Sequence, residues 1–232
     1  MSDALLRVEK DGRITTLTLN NPDRRNALSW ELVDELAAAV ESIEADPDVL
    51  AVILTGSGKG FASGADVTTM AGPQGMSEEE VAAYIKSFYL KNLKVMDIPV
   101  PTIAAINGHA IGAGCTLALA CDMRIASTTA KLGLGFVRIG LHPGMGTTYF
   151  LPRLVGTPRA YELLLTGEPI TGEEAARIGL VNRAVEPEQV MAEARELARR
   201  IVAGPPEVIR RMKESIGASH TRGLSETLDL EA

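Results

Sequence analysis

INGHAIGAGCTLALACD, residues 106–122, joins the end of an apolar run to a glycine-rich helix entrance. The run itself, PTIAAING (101–108), is short, apolar and β-rich, and reads as a buried strand ending in a tight turn. Gly108, Gly112 and Gly114 then form GxxxGxG at a helix start, where the first backbone N–H groups lack intrahelical acceptors and the helix dipole is positive. Such an entrance suits a negative charge, and small residues let the backbone itself approach that charge. Yet Thr116, the next polar residue, carries no carboxylate, and none follows until Asp122.

The same design occurs once upstream. VLAVILTG (49–56) leads into GSGKGFASGAD (56–66), so the sequence predicts two buried parallel strands with glycine-rich loops at their carboxyl ends. Dinucleotide-binding dehydrogenases share the glycine spacing. The YxxxK pair of the short-chain type is missing, because Tyr84, Tyr89, Tyr149 and Tyr161 are followed four residues later by Phe88, Leu93, Arg153 and Leu165. GSGKG (56–60) is not a phosphate loop, since Ile53 and Gly60 stand where GxxxxGK[ST] needs glycine and a hydroxyl residue. Ser57 lies in TGSGK rather than GxSxG, and no ordered Asp and His pair suggests a hydrolase triad.

Outward from these loops the elements are legible. Asp11–Gly12 separates two strand-like runs as a hairpin turn. Ser29 is an N-cap for a helix with apolar residues at Val33, Leu36, Ala37, Val40 and Ile43. Ser77 with Glu80 and Thr171 with Glu174 form capping boxes ahead of two further helices, and the second half is mostly helical. No linker or repeat divides the chain. With 30 acidic against 23 basic residues, a net charge of -7, nucleic acid is excluded as a partner class. The N-terminal stretch has no basic and apolar leader pattern and no run spans a bilayer, which predicts a cytoplasmic protein without a membrane partner. Cys115 and Cys121 read as reduced core thiols, and His109, His142 and His220 lack metal-ligand spacing, so no metal is expected.

Five segments in order, NNPDRRNALS (20–29), GKGFASGAD (58–66), INGHAIGAGCTLALACD (106–122), LGFVRIGLHPGMG (134–146) and TGEPITGEEAARIGLVNRAV (166–185), together resemble the enoyl-CoA hydratase/isomerase family, the crotonases. The resemblance runs from about Leu6 to the end. It implies an α/β fold, a spiral of ββα units with a C-terminal helical region, divided as a core over 1–190 and helices over 191–232, where relatives continue further. It also implies assembly as a trimer or a dimer of trimers, and an acyl-CoA substrate, coenzyme A entering as part of that substrate and no cofactor staying bound. By the same resemblance, the backbone N–H groups of Ala65 and Ala113 form an oxyanion hole for the thioester oxygen. Ser63, Ala65, Asp66 and Val67 match the stretch that wraps the coenzyme, Ala27 is a further coenzyme-binding candidate, and Arg24 and Arg25, in the turn before Asn26-Ala27-Leu28, are candidates to meet its phosphates, against the alternative of an exposed basic turn.

Hydratases of the family resemble one another in two glutamates, and here Thr116 and Phe136 occupy those positions. A threonine hydroxyl is no base near neutral pH and phenylalanine carries no exchangeable proton, so standard water addition lacks its machinery. Three readings stay open: an enzyme with relocated acid/base groups, a decarboxylase of malonyl-type thioesters, or a non-catalytic acyl-CoA-binding subunit. For the first, His142 is the candidate, with Tyr84, Lys86, Asp97 and Tyr149 behind it, while the alternative for His142 is a packed or solvated loop residue. His109, before the oxyanion turn, is read as structural.

Overall fold

A computed structural model describes residues 4–66, 72–219 and 221–231, so Val67 and His220 lie outside the described residues. The hairpin forms as expected: β1 (Leu6–Asp11) and β2 (Ile14–Leu19) pair antiparallel across Gly12, whose φ of +59° suits a residue without a Cβ. Ser29 caps α1 (Trp30–Glu44) by accepting a hydrogen bond from Leu32 N–H, and α1 buries Leu32, Val33, Leu36, Val40 and Ile43 at helical spacing.

Three consecutive units then repeat one plan. A long strand enters a large sheet, a short strand enters a small sheet, and helix follows. The pairs are β3 (Ala51–Gly56) with β4 (Gly60–Ala62), β5 (Thr102–Ile106) with β6 (His109–Ile111), and β7 (Met123–Ser127) with β8 (Lys131–Gly133). Helices α2 (Glu78–Leu93), α3 (Ala113–Leu119), and the successive α4 (Thr147–Val155) and α5 (Thr157–Thr166) complete the units. With β9 (Ile170–Thr171) and β10 (Arg183–Val185), the sheet orders are β1-β2-β3-β5-β7-β10 and β4-β6-β8-β9. The two glycine-terminated runs are thus neighbouring parallel strands, with Val52 opposite Thr102 and Leu54 opposite Ala104.

Both faces of the large sheet are covered. Val52, Leu54, Ala104 and Ile106 join the main core with α1, whereas Ile53, Ile103 and Ile125 face Val190, Ala194 and Ala198 of α7 (Val190–Val202). The i, i+4, i+8 spacing gives α7 a flat seam of small residues against the sheet. The division drawn at residue 191 therefore falls inside a helix that belongs to the packing of the core. Helix α6 (Gly172–Arg177) precedes β10, and α8 (Pro206–Ala218) and α9 (Leu224–Glu231) end the described chain. Ser77 and Glu80 make a full capping box, but at Thr171 only half of one forms: Glu174 donates its N–H to Thr171 Oγ1 while its carboxylate pairs with Arg177. A guanidinium three residues on competes for that carboxylate with the N-cap N–H.

All seven residues of α3 are buried, and Gly114 sets its depth. A methyl group there would lie 2.5 Å from Ala62 O and 2.6 Å from Ala62 Cβ. At the other end, Arg124, 5% exposed, donates to Leu180 O at 2.8 Å and Cys121 O at 2.6 Å, with Leu119 O at 3.4 Å. Cys115 and Cys121 are buried free thiols, and burial pushes both up to about 12. Gly114→Ala should lower stability by about 2 kcal/mol through overpacking against backbone, read as a reduced midpoint in urea with an unchanged slope.

Candidate active site

Three segments converge on the start of α3. In the first, Leu28 and Ala65 form an isolated parallel bridge: Leu28 N–H donates to Gly64 O at 2.8 Å and Asp66 N–H to Leu28 O at 3.0 Å. That pairing uses the amides on either side and turns the Ala65 N–H away from Leu28. Gly64, at φ +104°, packs on the second segment, the turn Ile111–Ala113; a methyl at Gly64 would lie 2.9 Å from Ile111 O and 3.7 Å from Ala113 N. Gly112 caps α3 at φ 52° and donates to Gly133 O at 2.8 Å, which fixes the turn and leaves the Ala113 N–H at the helix opening without an intrahelical acceptor. The third is Phe136, whose ring edge would meet a methyl on Gly112 at 3.9 Å. Sequence positions 65, 113, 116 and 136 are therefore brought together by the fold.

Thr116 and Thr147 fill the space beneath the helix opening. Both are fully buried, and their hydroxyls are 2.7 Å apart. Thr147 donates to Gly144 O at 2.7 Å and Thr116 to Gly112 O at 3.1 Å, and either hydroxyl can serve as donor in the contact between the two. Each hydroxyl has one proton, and both are committed to protein acceptors. Together they form a neutral, satisfied pair with no acid or base character.

The candidates for the coenzyme also cluster. Ser63 N–H donates to Arg25 O at 3.0 Å and Ala27 N–H to Arg24 O at 3.1 Å, which ties the 24–28 turn to the 63–66 segment. Arg24 pairs with Asp66 at 2.8 Å, with the aspartate side chain 5% exposed and the arginine 56% exposed. Arg25 is exposed and sits in the left-handed region at φ 54°. Buried Asn26 holds this turn in place, donating to Ser57 O and Gly60 O at 2.9 Å while its Oδ1 accepts from Asn21 N–H at 2.9 Å.

Other sequence candidates lie elsewhere. His142 is exposed, with Nδ1 2.8 Å from Pro143 O, and borders an apolar cleft of about 510 Å³ with Val137, Leu141, Tyr161 and Leu165; Thr116, Phe136 and Ala113 are not among that cleft's lining. His109 Nδ1 accepts from Lys131 N–H at 3.0 Å and pins β6 to β8, the structural role read for it. Lys86 and Asp97 are exposed, and Tyr149 is 42% exposed under the Arg153 guanidinium. Thr147 and Tyr89 were not singled out from sequence. Thr147 meets Thr116 across 31 residues of chain, and no local pattern announces that contact.

The chain matches the family described as enoyl-CoA hydratase/isomerase over residues 9–232. It is 40% identical over 223 residues to the short-chain-enoyl-CoA hydratase of Clostridium acetobutylicum, covering 96% of this chain and 83% of that protein. It is 38% identical to the crotonyl-CoA hydratase of Syntrophomonas wolfei, covering 97% and 86% of the two. The crystal structure of an enoyl-CoA hydratase from Bacillus anthracis superposes with a TM-score of 0.91 at 37% identity, covering 98% of this chain and 88% of that one. The chain belongs to the enoyl-CoA hydratase/isomerase family and has its crotonase fold. Among the described residues no helix is long and apolar enough to cross a membrane.

Thr116→Glu alone places a carboxylate against Thr147 in a sealed site and should cost about 3 kcal/mol. Adding Thr147→Gly opens the volume the side chain needs, and the double variant should regain most of that loss in thermal unfolding.

Proposed function

We propose that the protein is an acyl-CoA-processing enzyme that stabilises a thioester enolate at the backbone N–H groups of Ala65 and Ala113, without two-glutamate water addition. The packing of Gly64 on the Ile111–Ala113 turn supports this reading, because a methyl group on Gly64, the residue before Ala65, would lie 3.7 Å from Ala113 N. Donors held there by backbone geometry need no reorganisation as negative charge develops, and each is worth about 3 kcal/mol in the transition state. The coenzyme would lie along the 24–27 and 63–66 segments. Since Arg24 is engaged with Asp66, exposed Arg25 is the better of the two arginines for a phosphate.

The Thr116–Thr147 pair favours one chemistry within this reading. No carboxylate stands at position 116 or 136 to remove an α-proton or activate water, so the enolate is best generated by breaking a carbon–carbon bond. Loss of CO2 from a malonyl-type thioester does so and asks the protein for oxyanion stabilisation and a later proton. We also propose assembly as a homotrimer or dimer of trimers. Val137, Ile139, Leu141, Tyr161 and Leu165 expose large apolar surface around the cleft beside His142, the kind of patch that a partner subunit covers.

Purified protein incubated in heavy water with crotonyl-CoA and, separately, with methylmalonyl-CoA should leave the first unhydrated and convert the second to monodeuterated propionyl-CoA. Hydration of crotonyl-CoA would overturn the reading of positions 116 and 136, and binding without turnover of either ester would leave a non-catalytic acyl-CoA protein. Light scattering on the same sample should give three or six times the 24.6 kDa chain mass, and a monomer would sink the proposed assembly.

A further inference from the structure

An enolate held at Ala65 and Ala113 still needs a proton, and the threonine pair beneath it has none to give. Helix α2 spans the two sides of this site. Toward its start, Tyr84 packs on Trp30 with ring centroids 4.8 Å apart, and Trp30 stands two residues beyond Leu28, the partner of Ala65. Further along, Tyr89 reaches Gly144, where a methyl group would lie 2.6 Å from Tyr89 Cζ and closer still to the hydroxyl oxygen. Gly144 O is the acceptor for Thr147, which in turn holds Thr116 one turn inside α3. The Tyr89 hydroxyl therefore comes in from the helix that bridges the Ala65 side and the Thr116 side.

We propose that the phenol of Tyr89 is the acid that protonates the α-carbon of the bound enolate, an assignment that rests on the enolate reading above. Glycine at position 144 is what admits it, since any side chain there would occupy the place of the ring. The partly buried ring packs against the core, and no hydrogen bond ties its hydroxyl to another of the described residues. Burial pushes the phenol above its ordinary value, which keeps it protonated at neutral pH and makes it a donor rather than a base. In the step, the phenolic O–H bond breaks and an α-carbon C–H bond forms from the enolate electron pair. The thioester C=O is restored, and the phenolate recovers a proton from water. His142, beside the separate apolar cleft, has no such placement.

The test compares the full chain with Tyr89→Phe, which keeps the ring against Gly144, using methylmalonyl-CoA in heavy water. Protonation by a fixed acid delivers deuterium to one face, so the unaltered chain should give stereospecifically labelled propionyl-CoA. Tyr89→Phe should lower kcat about 100-fold, leave KM unchanged and give product labelled on both faces. As a second variant, 3-fluorotyrosine at position 89 retains ring and hydroxyl with a more acidic phenol, and should move the high-pH loss of activity to lower pH. Turnover by Tyr89→Phe at the unaltered rate with one-sided labelling, or a fluorotyrosine profile that does not move, overturns the role of Tyr89 alone. Absence of turnover by the unaltered chain overturns the enolate reading and this role with it.

Discussion

The approach of Gly64 to the carbonyl of Ile111 is the contact on which the site depends. It requires a residue with no Cβ, at a φ of +104° that side-chain-bearing residues seldom adopt. It also requires that two loops, each leaving the carboxyl end of a strand in the same parallel sheet, arrive at the same height. The register of β4 against β6, with Gly60 opposite His109 and Ala62 opposite Ala110, supplies that height, and Gly114 on Ala62 supplies the depth of the helix below it. Backbone packing, more than any reactive side chain, thus defines the place proposed to receive charge.

What lies under that place departs from the acidic design that the family resemblance implies. Thr116 and Thr147 act as a plug: with Gly112 O and Gly144 O they satisfy one another's hydroxyls and leave a buried, neutral floor. Phe136 adds an apolar wall at Gly112. An apolar, neutral surround strengthens the field of fixed amides on a bound oxyanion, because the local dielectric is low. It also disfavours a free water or hydroxide nucleophile there. In the proposed reaction both effects favour charge stabilisation over proton abstraction.

Much of this is legible in the sequence. The hairpin at Gly12, the caps at Ser29 and Ser77 and the two strand-loop units follow local rules, since each depends on residues within a turn or a strand of one another. The glycine-rich loops were legible for a related reason, as backbone approach leaves a compositional trace. Thr147 and Tyr89 left none. Their importance comes from contacts with Thr116 and Gly144 that only the packed helices create, and a threonine in a helix or a tyrosine in an amphipathic stretch has many ordinary explanations. At Thr171, conversely, local pattern overstated the outcome, because Arg177 took the carboxylate that a capping box would use.

The buried guanidinium of Arg124 has a thermodynamic meaning for ligand recognition. By closing over the carbonyls of Leu119 and Cys121 while gripping Leu180, it moors the far end of α3 to the segment before β10. A seven-residue helix has little stiffness of its own. Clamped at one end by a cation and seated on Ala62 at the other, it has few alternative positions to surrender when an anion arrives. Under the proposed reading, the ordering entropy of the Ala113 amide is therefore incurred during folding and does not dilute affinity for a developing charge.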